Sequence, residues 1–355
     1  MKIAIDILTP KQCMFFSKLS ERLESRGHKV LRTTRKYREV NQLLELKGVD
    51  AKIVGEHGGG DIANKLKASA KRILELSSVI EDFKPDVAVS FSSPELARVA
   101  FGLRIPHVCV NDSPHAEAVA KLTVPLSTKL LTSKMIPKKA WTKYGISPDN
   151  IVQYNALDPW VWLKNLKPDP QILRQLTLDD TKPIVTFRTE ESFASYLLGK
   201  SLAETPIIPL IKQVLKKRRD IQVVAVPRYE EQKKYLFKIF DDKITICEST
   251  VDGPSLLYHT SVFVGGGGTM TTESALLGVP TFSCYPSKPF EILKYLIKNK
   301  MVILERDPNR LLKKIGSTLD DLEKSKKTQA ERVQMLVKDF EDPTEVIVTE
   351  VEKIV

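Results

Sequence analysis

The chain has 355 residues, 42% hydrophobic and 28% charged, an ordinary balance for a soluble globular protein and long enough for two cores rather than one. Lysine and arginine outnumber acidic residues 55 to 44, and the net charge of +11 suits anionic partners such as nucleotides, phospholipid surfaces or nucleic acid. No apolar run reaches membrane-spanning length, and Met1-Lys2 opens onto a short strand pattern and Pro10 rather than a signal peptide, so a cytoplasmic protein is expected. The four cysteines, Cys13, Cys109, Cys247 and Cys284, stand singly, which argues against a zinc site or a disulfide framework. Basic clusters at 216–219 and 324–327 fall in helical patterns and read as solvated faces; with no zinc finger, RNP-like motif or basic arm, no nucleic-acid partner is expected.

In chain order, Lys2–Leu8 reads as a strand with Asp6 near its carboxyl end. Thr9-Pro10 turns into a helix carried by Phe15, Leu19 and Leu23, and Gly27 stops it before a second strand at 28–31. A short helix at 40–46 and a third strand at 51–54 lead to His57-Gly58-Gly59-Gly60-Asp61, where Asp61 is placed to cap a helix running to about Phe83. Strands follow at 86–90 and 105–110, with a helix starting at Ser92-Ser93-Pro94-Glu95 between them. The second of these strands leads into Asn111-Asp112-Ser113-Pro114-His115-Ala116-Glu117, and further strands fall at 129–132 and 151–154. Strands and helices alternating at these lengths predict a mostly parallel sheet covered on both faces, with ligands beyond the carboxyl ends of the strands.

The stretch 157–182, rich in proline and holding Trp160 and Trp162, reads as a connection between domains. A second alternating unit then begins. Strands at 184–187 and 221–226 end in Arg188 and Pro227-Arg228, a helix spans 207–217, and a strand is expected at 243–247 with a short helix at 255–258. A strand at 281–284, a helix at 289–299 and a mainly helical tail from Pro308 complete it.

Within that unit, Val262–Val264 reads as a buried strand, followed by Gly265–Gly268, hydroxyls at Thr269, Thr271 and Thr272, and a carboxylate at Glu273. Glycines let a backbone approach a ligand and take positive φ, and a helix start offers free N–H groups to a phosphate. Glu273 is then positioned to accept hydrogen bonds from ribose hydroxyls. A plain tight turn followed by a Thr-Thr-Glu helix cap fits the same residues. Neither G-x-x-x-x-G-K-[ST] nor an opening G-x-G-x-x-G is present.

The run from Gly265 through Glu273 to Gly278 and Pro280 resembles the C-terminal signature of GT-B-fold proteins. These include the lipid-linked N-acetylglucosaminyltransferase of peptidoglycan synthesis and the UDP-N-acetylglucosamine 2-epimerases. The chain is also similar, nearly end to end, to an archaeal and bacterial family of unknown function with a GT-B-like fold. The matching stretches are D-I-L-T-P-K-Q (Asp6–Gln12), R-G-H-K-V (Arg26–Val30), S-S-P-E (Ser92–Glu95), N-D-S-P-H-A (Asn111–Ala116), V-D-G-P-S-L-L-Y (Val251–Tyr258) and the glycine loop. The resemblance implies an α/β fold of two Rossmann-like, doubly wound domains facing across a cleft. It implies an acceptor-side domain at 1–157, a connection at 158–182, a nucleotide-sugar domain at 183–340 and a C-terminal helix at 341–355 packing back on the first domain. It gives Glu273 to the ribose, and the backbone of Gly266, Gly267, Gly268 and Thr269, with Thr272 nearby, to the diphosphate. Two departures stand out: Met270 occupies a place usually held by a hydroxyl, and Asn111–Glu117 does not match the histidine-glutamate-alanine-glycine motif of the epimerases.

On their own chemistry, Asp112, His115 and Glu117 put three titratable groups on one rim loop, where Asp112 can orient His115 as the base that a sugar hydroxyl needs. The competing reading has Asp112 capping a helix that begins near Pro114 with His115 on its first turn. Asp6, ending a strand on the same rim, is a rival base. Arg188 and Arg228 each follow a strand of the second domain and can neutralise a leaving diphosphate, or form surface ion pairs. No Asp-x-Asp pair appears, so neither a metal nor a separate cofactor is expected; the nucleotide sugar, UDP-linked in the resembling enzymes, is the substrate. The expectation is a metal-independent glycosyltransferase with an unidentified acceptor, a peripheral membrane-surface contact and a homodimeric option. A sugar-nucleotide 2-epimerase and a non-catalytic nucleotide-sugar-binding protein are the alternatives.

Overall fold

The structure is a computed structural model and describes residues 1–189 and 206–354. It divides into two compact units, one formed by 1–162 with 339–355 and the other by 163–338.

The first unit is a parallel sheet covered by helices. Its strands are β1 (Lys2–Ile7), β2 (Lys29–Lys36), β3 (Lys52–Glu56), β4 (Val87–Ser90), β5 (His107–Val110), β6 (Lys129–Ser133) and β7 (Ile151–Tyr154), in the order β3-β2-β1-β4-β5-β6-β7. The connecting helices are α1 (Pro10–Ser25), α2 (Arg38–Leu46), α3 (Ile62–Phe83), α4 (Pro94–Gly102), α5 (Glu117–Thr123) and the short α6 (Lys139–Thr142) and α7 (Trp160–Leu163). Central strands are buried on both faces, as a sheet sandwiched between helices demands: Ile3, Ile5, Ile7, Val87, Val89, Val108 and Val110 line one, and Ala4, Asp6, Ala88, Ser90, His107 and Cys109 the other. Side chains set the helix starts. Thr9 and Pro10 open α1, Asp61 accepts from Asn64 N at 2.8 Å to open α3, and Ser93 accepts from Leu96 N to open α4.

The second unit repeats the plan. Its strands are β8 (Ile184–Arg188), β9 (Gln222–Val226), β10 (Thr245–Ile246), β11 (Val262–Gly265), β12 (Thr281–Ser283) and β13 (Ile303–Leu304), ordered β10-β9-β8-β11-β12-β13 and all parallel. Its helices are α8 (Gln171–Gln175), α9 (Ile207–Lys217), α10 (Glu230–Phe240), α11 (Gly253–His259), α12 (Thr269–Leu276), α13 (Glu291–Lys298), α14 (Pro308–Asp320) and α15 (Leu322–Val337). The larger core lies where α9 and α14 cover Val185, Phe187, Val223, Val262 and Val264.

The last helix, α16 (Pro343–Glu352), belongs to the first unit and packs on α1. Ile347, Val348 and Val351 are fully buried there. Glu345 pairs with Arg22 and Arg26, Glu352 with Arg26 and His28, and Glu350 with Lys129.

Two local expectations need correction, and two elements were not anticipated. The helix after β5 begins at Glu117 rather than near Pro114, and Asp112 does not cap it, because the carboxylate is engaged elsewhere. The expected strand at 243–247 shrinks to two residues, because a 3-10 turn (Asp241–Lys243) occupies its start. α10 and the edge strand β13 have only weak local signals: a highly charged helix and a two-residue strand.

Candidate functional site

Both sheets reverse strand order at one point, between β1 and β4 in the first and between β8 and β11 in the second. The crevice beyond the carboxyl ends at such a point is where open parallel sheets bind ligands. The candidate residues gather at these two places.

In the second unit the glycine loop leaves β11 at that position. Gly267 and Gly268 have φ of +95° and +90°, which a side chain disfavours. A Cβ on Gly268 would stand 3.5 Å from Arg228 Nη2, and one on Gly267 would stand 3.4 Å from the Tyr285 ring and 3.5 Å from that of Phe290. The loop backbone is therefore bare toward a guanidinium on one side and an edge-to-face aromatic pair on the other. Arg228 is held by Nε donating to Thr189 O at 3.3 Å and its backbone N–H donating to Gln232 Oε1 at 2.9 Å. Arg188 acts one layer back: Nη1 donates to Val226 O and Pro227 O, bracing the turn that carries Arg228. Thr269 opens α12, Thr272 Oγ1 lies 3.5 Å from Gly268 O, and Glu273 is buried at 4% exposure. The buried Thr271 Oγ1 has no hydrogen-bond partner among the described residues, an orphan polar atom in the first turn of the helix behind the loop.

In the first unit the structure brings together residues that are far apart in the chain. Lys11 Nζ lies 2.5 Å from Asp112 Oδ2 and 2.6 Å from Asp158 Oδ2, and 4.3 Å from the centre of the Phe91 ring. Tyr154 donates to Asp158 Oδ1 at 2.5 Å, and Ser113 donates to Asp112 Oδ1 at 2.8 Å. One cation thus sits between two carboxylates of unequal exposure, Asp112 at 25% and Asp158 at 2%. Burial pushes the Asp112 carboxyl up, but the Lys11 ammonium and the Lys11 and Ser113 hydrogen bonds outweigh it and hold Asp112 below its usual range. Asp158 goes the other way: its burial and the Asp112 charge outweigh the help of Lys11 and Tyr154, so its proton affinity rises. Asp112 is therefore the ionised, partly accessible member. His115 is exposed beside it, close enough for its charge to favour the Asp112 carboxylate. Glu117 is drawn away: its carboxylate pairs with Lys121 at 2.7 Å on the exposed side of α5.

Asp6 is fully enclosed. Arg72 donates to it twice, at 2.9 and 2.6 Å, and Thr33 and Ser93 donate at 2.8 and 2.6 Å. Burial raises its proton affinity, and the Arg72 charge with these bonds more than reverses that. A carboxylate with every lone pair engaged inside the sheet is an internal strut rather than a base that reaches a sugar hydroxyl. Above it, Ser92 is held at φ +58° in the turn after β4, its hydroxyl donating to Val110 O; strained backbone of this kind concentrates at binding sites.

Sequence reasoning missed Lys11, Asp158, Tyr154, Tyr285 and Phe290. Lys11 lies in the Thr-Pro-Lys turn and Asp158 in Ala-Leu-Asp-Pro, but no local pattern links positions 11, 112 and 158. Trp160 packs edge-to-face on Phe340 at 5.9 Å, within the first unit.

Comparison with known proteins fits this architecture. An uncharacterized protein of Methanocaldococcus jannaschii is 32% identical over 352 residues, covering 98% of this chain and 96% of that one. A UDP-GlcNAc 2-epimerase from Neisseria meningitidis bound to UDP-GlcNAc superposes with a TM-score of 0.77 at 16% identity, covering 99% and 100% of the two chains. A UDP-GlcNAc 2-epimerase from M. jannaschii in complex with UDP-GlcNAc and UDP gives 0.73 at 17% identity over 99% and 100%. A spinosyn forosaminyltransferase gives 0.67 at 15% identity over 100% and 99%. At these identities the likeness establishes the GT-B-like fold. A family model described as "Protein of unknown function (DUF354)" matches residues 1–355, and the chain belongs to that family.

Proposed function

From that membership, which brings no activity with it, we propose that the chain is a metal-independent, GT-B-type enzyme that uses a nucleotide sugar as glycosyl donor. The observation that carries this reading is the loop Gly265–Gly268, with Gly267 and Gly268 at positive φ and Gly268 beside Arg228, at the strand-order reversal of the second sheet. Backbone N–H groups at a helix start together with a guanidinium suit a diphosphate, whose charge grows as the glycosidic bond breaks. Tyr285 and Phe290 offer aromatic surface to the base, and Glu273 is assigned to the ribose. The two similar structures with UDP-GlcNAc bound make uridine nucleotides the first donors to try.

In the first unit, Asp112 is assigned as the group that accepts the proton of the acceptor hydroxyl. Lys11 holds the carboxylate ionised and oriented, and His115 stands by as the exchange partner with solvent. The acceptor is placed at a membrane surface. Ile62, Leu66 and Leu74 on α3 are 84%, 71% and 72% exposed, and Lys65, Lys67 and Lys71 lie on the same helix. Exposed apolar residues among lysines suit an interface with anionic lipid. The 2-epimerase reading is favoured by one observation: Lys11–Asp112 is a paired acid and base that would also serve to move a proton at a sugar carbon.

The deciding measurement is thermal unfolding with a panel of nucleotides and nucleotide sugars. A donor at a hundred times its Kd adds about 2.7 kcal/mol to the stability of the state that binds it. Selective stabilisation that disappears in Glu273→Ala and Arg228→Gln supports the donor site; no shift with any member of the panel sinks it. Incubating the selected donor alone in D2O separates the two chemistries, since deuterium incorporation at the sugar marks epimerisation.

A further inference from the structure

A second set of groups lies at the far edge of the first sheet, away from Asp112. β2 and β3 fall out of register between Thr34/Ile53 and Lys36/Glu56, so β3 carries one extra residue. Gly55, at φ +68°, lies in this bulge, and Arg35 stands on β2 opposite it. A Cβ on Gly55 would meet the Arg72 side chain at 2.9 Å, so the bulge makes room for Arg72, which turns to Asp6 with Glu95 3.7 Å away. Arg35 has no such match. Its Nε is buried without a hydrogen-bond partner, and the Glu95 and Asp6 carboxylates, taken up by Arg72, act on its charge only from beyond ion-pair distance, too weakly to offset its burial and the Arg72 charge.

Beside Arg35 is a built aromatic step. Its guanidinium carbon is 6.0 Å from the Tyr37 ring, which stacks on His57 at 4.7 Å and 20°. His57 Nδ1 accepts the Gly59 N–H at 3.1 Å, which leaves the ring proton on Nε2 as a donor. The loop that holds His57 is folded tightly onto α3: a Cβ on Gly58 would lie 2.5 Å from Lys65 Cα, and Gly59 takes φ +71°. Lys65 is near enough to act on the imidazole, which its own burial, Arg35 and Lys65 all keep neutral. The site thus offers donors and positive charge: a guanidinium fork, an imidazole N–H and an ammonium. A half-buried guanidinium with no anion in direct contact is costly, and a forked donor flanked by others matches the tetrahedral oxygens of a phosphate.

We propose that Arg35, His57 and Lys65 form a binding site for a phosphate or diphosphate group in the first unit, and that the sugar acceptor is a phosphorylated molecule. The statement about the acceptor rests on the transfer reading above; the phosphate site does not, and the test reads binding alone.

Inorganic pyrophosphate is titrated calorimetrically into the full chain carrying Arg228→Gln, so that anion binding beside the glycine loop is disabled whether or not that loop holds a donor. One site is expected there. Adding Arg35→Gln weakens it by at least about tenfold, and adding His57→Ala weakens it by about three- to tenfold. Arg35→Lys, which keeps the charge and loses the fork, falls between wild type and Arg35→Gln. Absence of a site in the Arg228→Gln protein, or affinity unchanged in folded Arg35 variants, overturns the proposal. If the Arg35 variants do not fold, unchanged affinity in His57→Ala overturns it. Co-sedimentation with phosphatidylcholine vesicles, with and without phosphatidic acid, identifies the source of the phosphate. Arg35-dependent capture by the acidic vesicles assigns it to a lipid headgroup, and pyrophosphate binding without such capture assigns it to a soluble ligand.

Discussion

Asp6 and Asp112 show how little a residue's place at a strand end says about its job. Both end or follow strands on the same rim, yet one is enclosed with Arg72 and the other meets solvent beside Lys11. Removing one partner of a fully buried pair leaves an uncompensated charge, so Arg72→Met is expected to cost about 3–5 kcal/mol in urea unfolding. The double variant Asp6→Asn/Arg72→Met should lose less than Arg72→Met alone, and a larger loss would refute the strut. His107 gives a pH signature. It is 1% exposed between Ser90 and Ser127, and burial pushes its pKa down to about 4. The unfolded chain binds that proton first as pH falls from about 6.5, so this contribution is complete above pH 6.5 and is lost as pH falls toward 4. Between pH 7 and pH 5 the group should remove about 2 kcal/mol of stability. His107→Gln should flatten that part of the profile, and an equal decline in the variant would refute the assignment. The residue types were readable from the sequence; which carboxylate is enclosed was not, because Arg72 and Lys11 lie 66 and 101 positions away from their partners.

At the scale of elements, the glycine loop was the most legible feature, since strand, glycines and helix start are contiguous. Its geometry makes Gly268→Ala informative. At φ +90° a side chain brings backbone strain of about 1–3 kcal/mol, and the new Cβ would sit in contact with the Arg228 guanidinium, 3.5 Å away. The expected result is modest destabilisation with loss of the nucleotide-dependent thermal shift; retention of the full shift would remove the loop from the donor site. The helix α16 supports a packing prediction. Ile347→Ala deletes a fully buried side chain against α1 and should cost about 2–5 kcal/mol. Arg22→Ala, at a half-exposed pair with Glu345, should cost less than about 1 kcal/mol. If the two losses are comparable, the ion pairs and not the apolar face hold the helix.

For the whole molecule, the excess of 11 positive charges bears on association more than on fold. If α3 meets anionic lipid, vesicle capture should fall as salt shortens the Debye length from about 10 Å at 0.1 M to 3 Å at 1 M. Ile62→Glu with Leu66→Glu should abolish capture without moving the melting temperature, since both side chains are exposed. Salt-insensitive capture, or capture by the double variant, would count against the surface contact.

The sequence by itself determined the class of fold: short continuous apolar runs alternating with 3.6-residue patterns allow little but helix-covered parallel sheets, and capping and glycine signals are local. It also marked the glycine loop, because that motif is written in one stretch. The short elements escaped it, since a two-residue β13 or the charged α10 takes its identity from neighbours rather than from its own pattern. Only the tertiary structure decided which polar groups work together. Lys11 reaches Asp112 and Asp158, and Arg228 reaches Gly268, through strand order and crossover connections that no spacing in the chain encodes. The physical reason is that ionisation and hydrogen bonding depend on burial and on partners within a few ångströms, and those are fixed only when the sheets close.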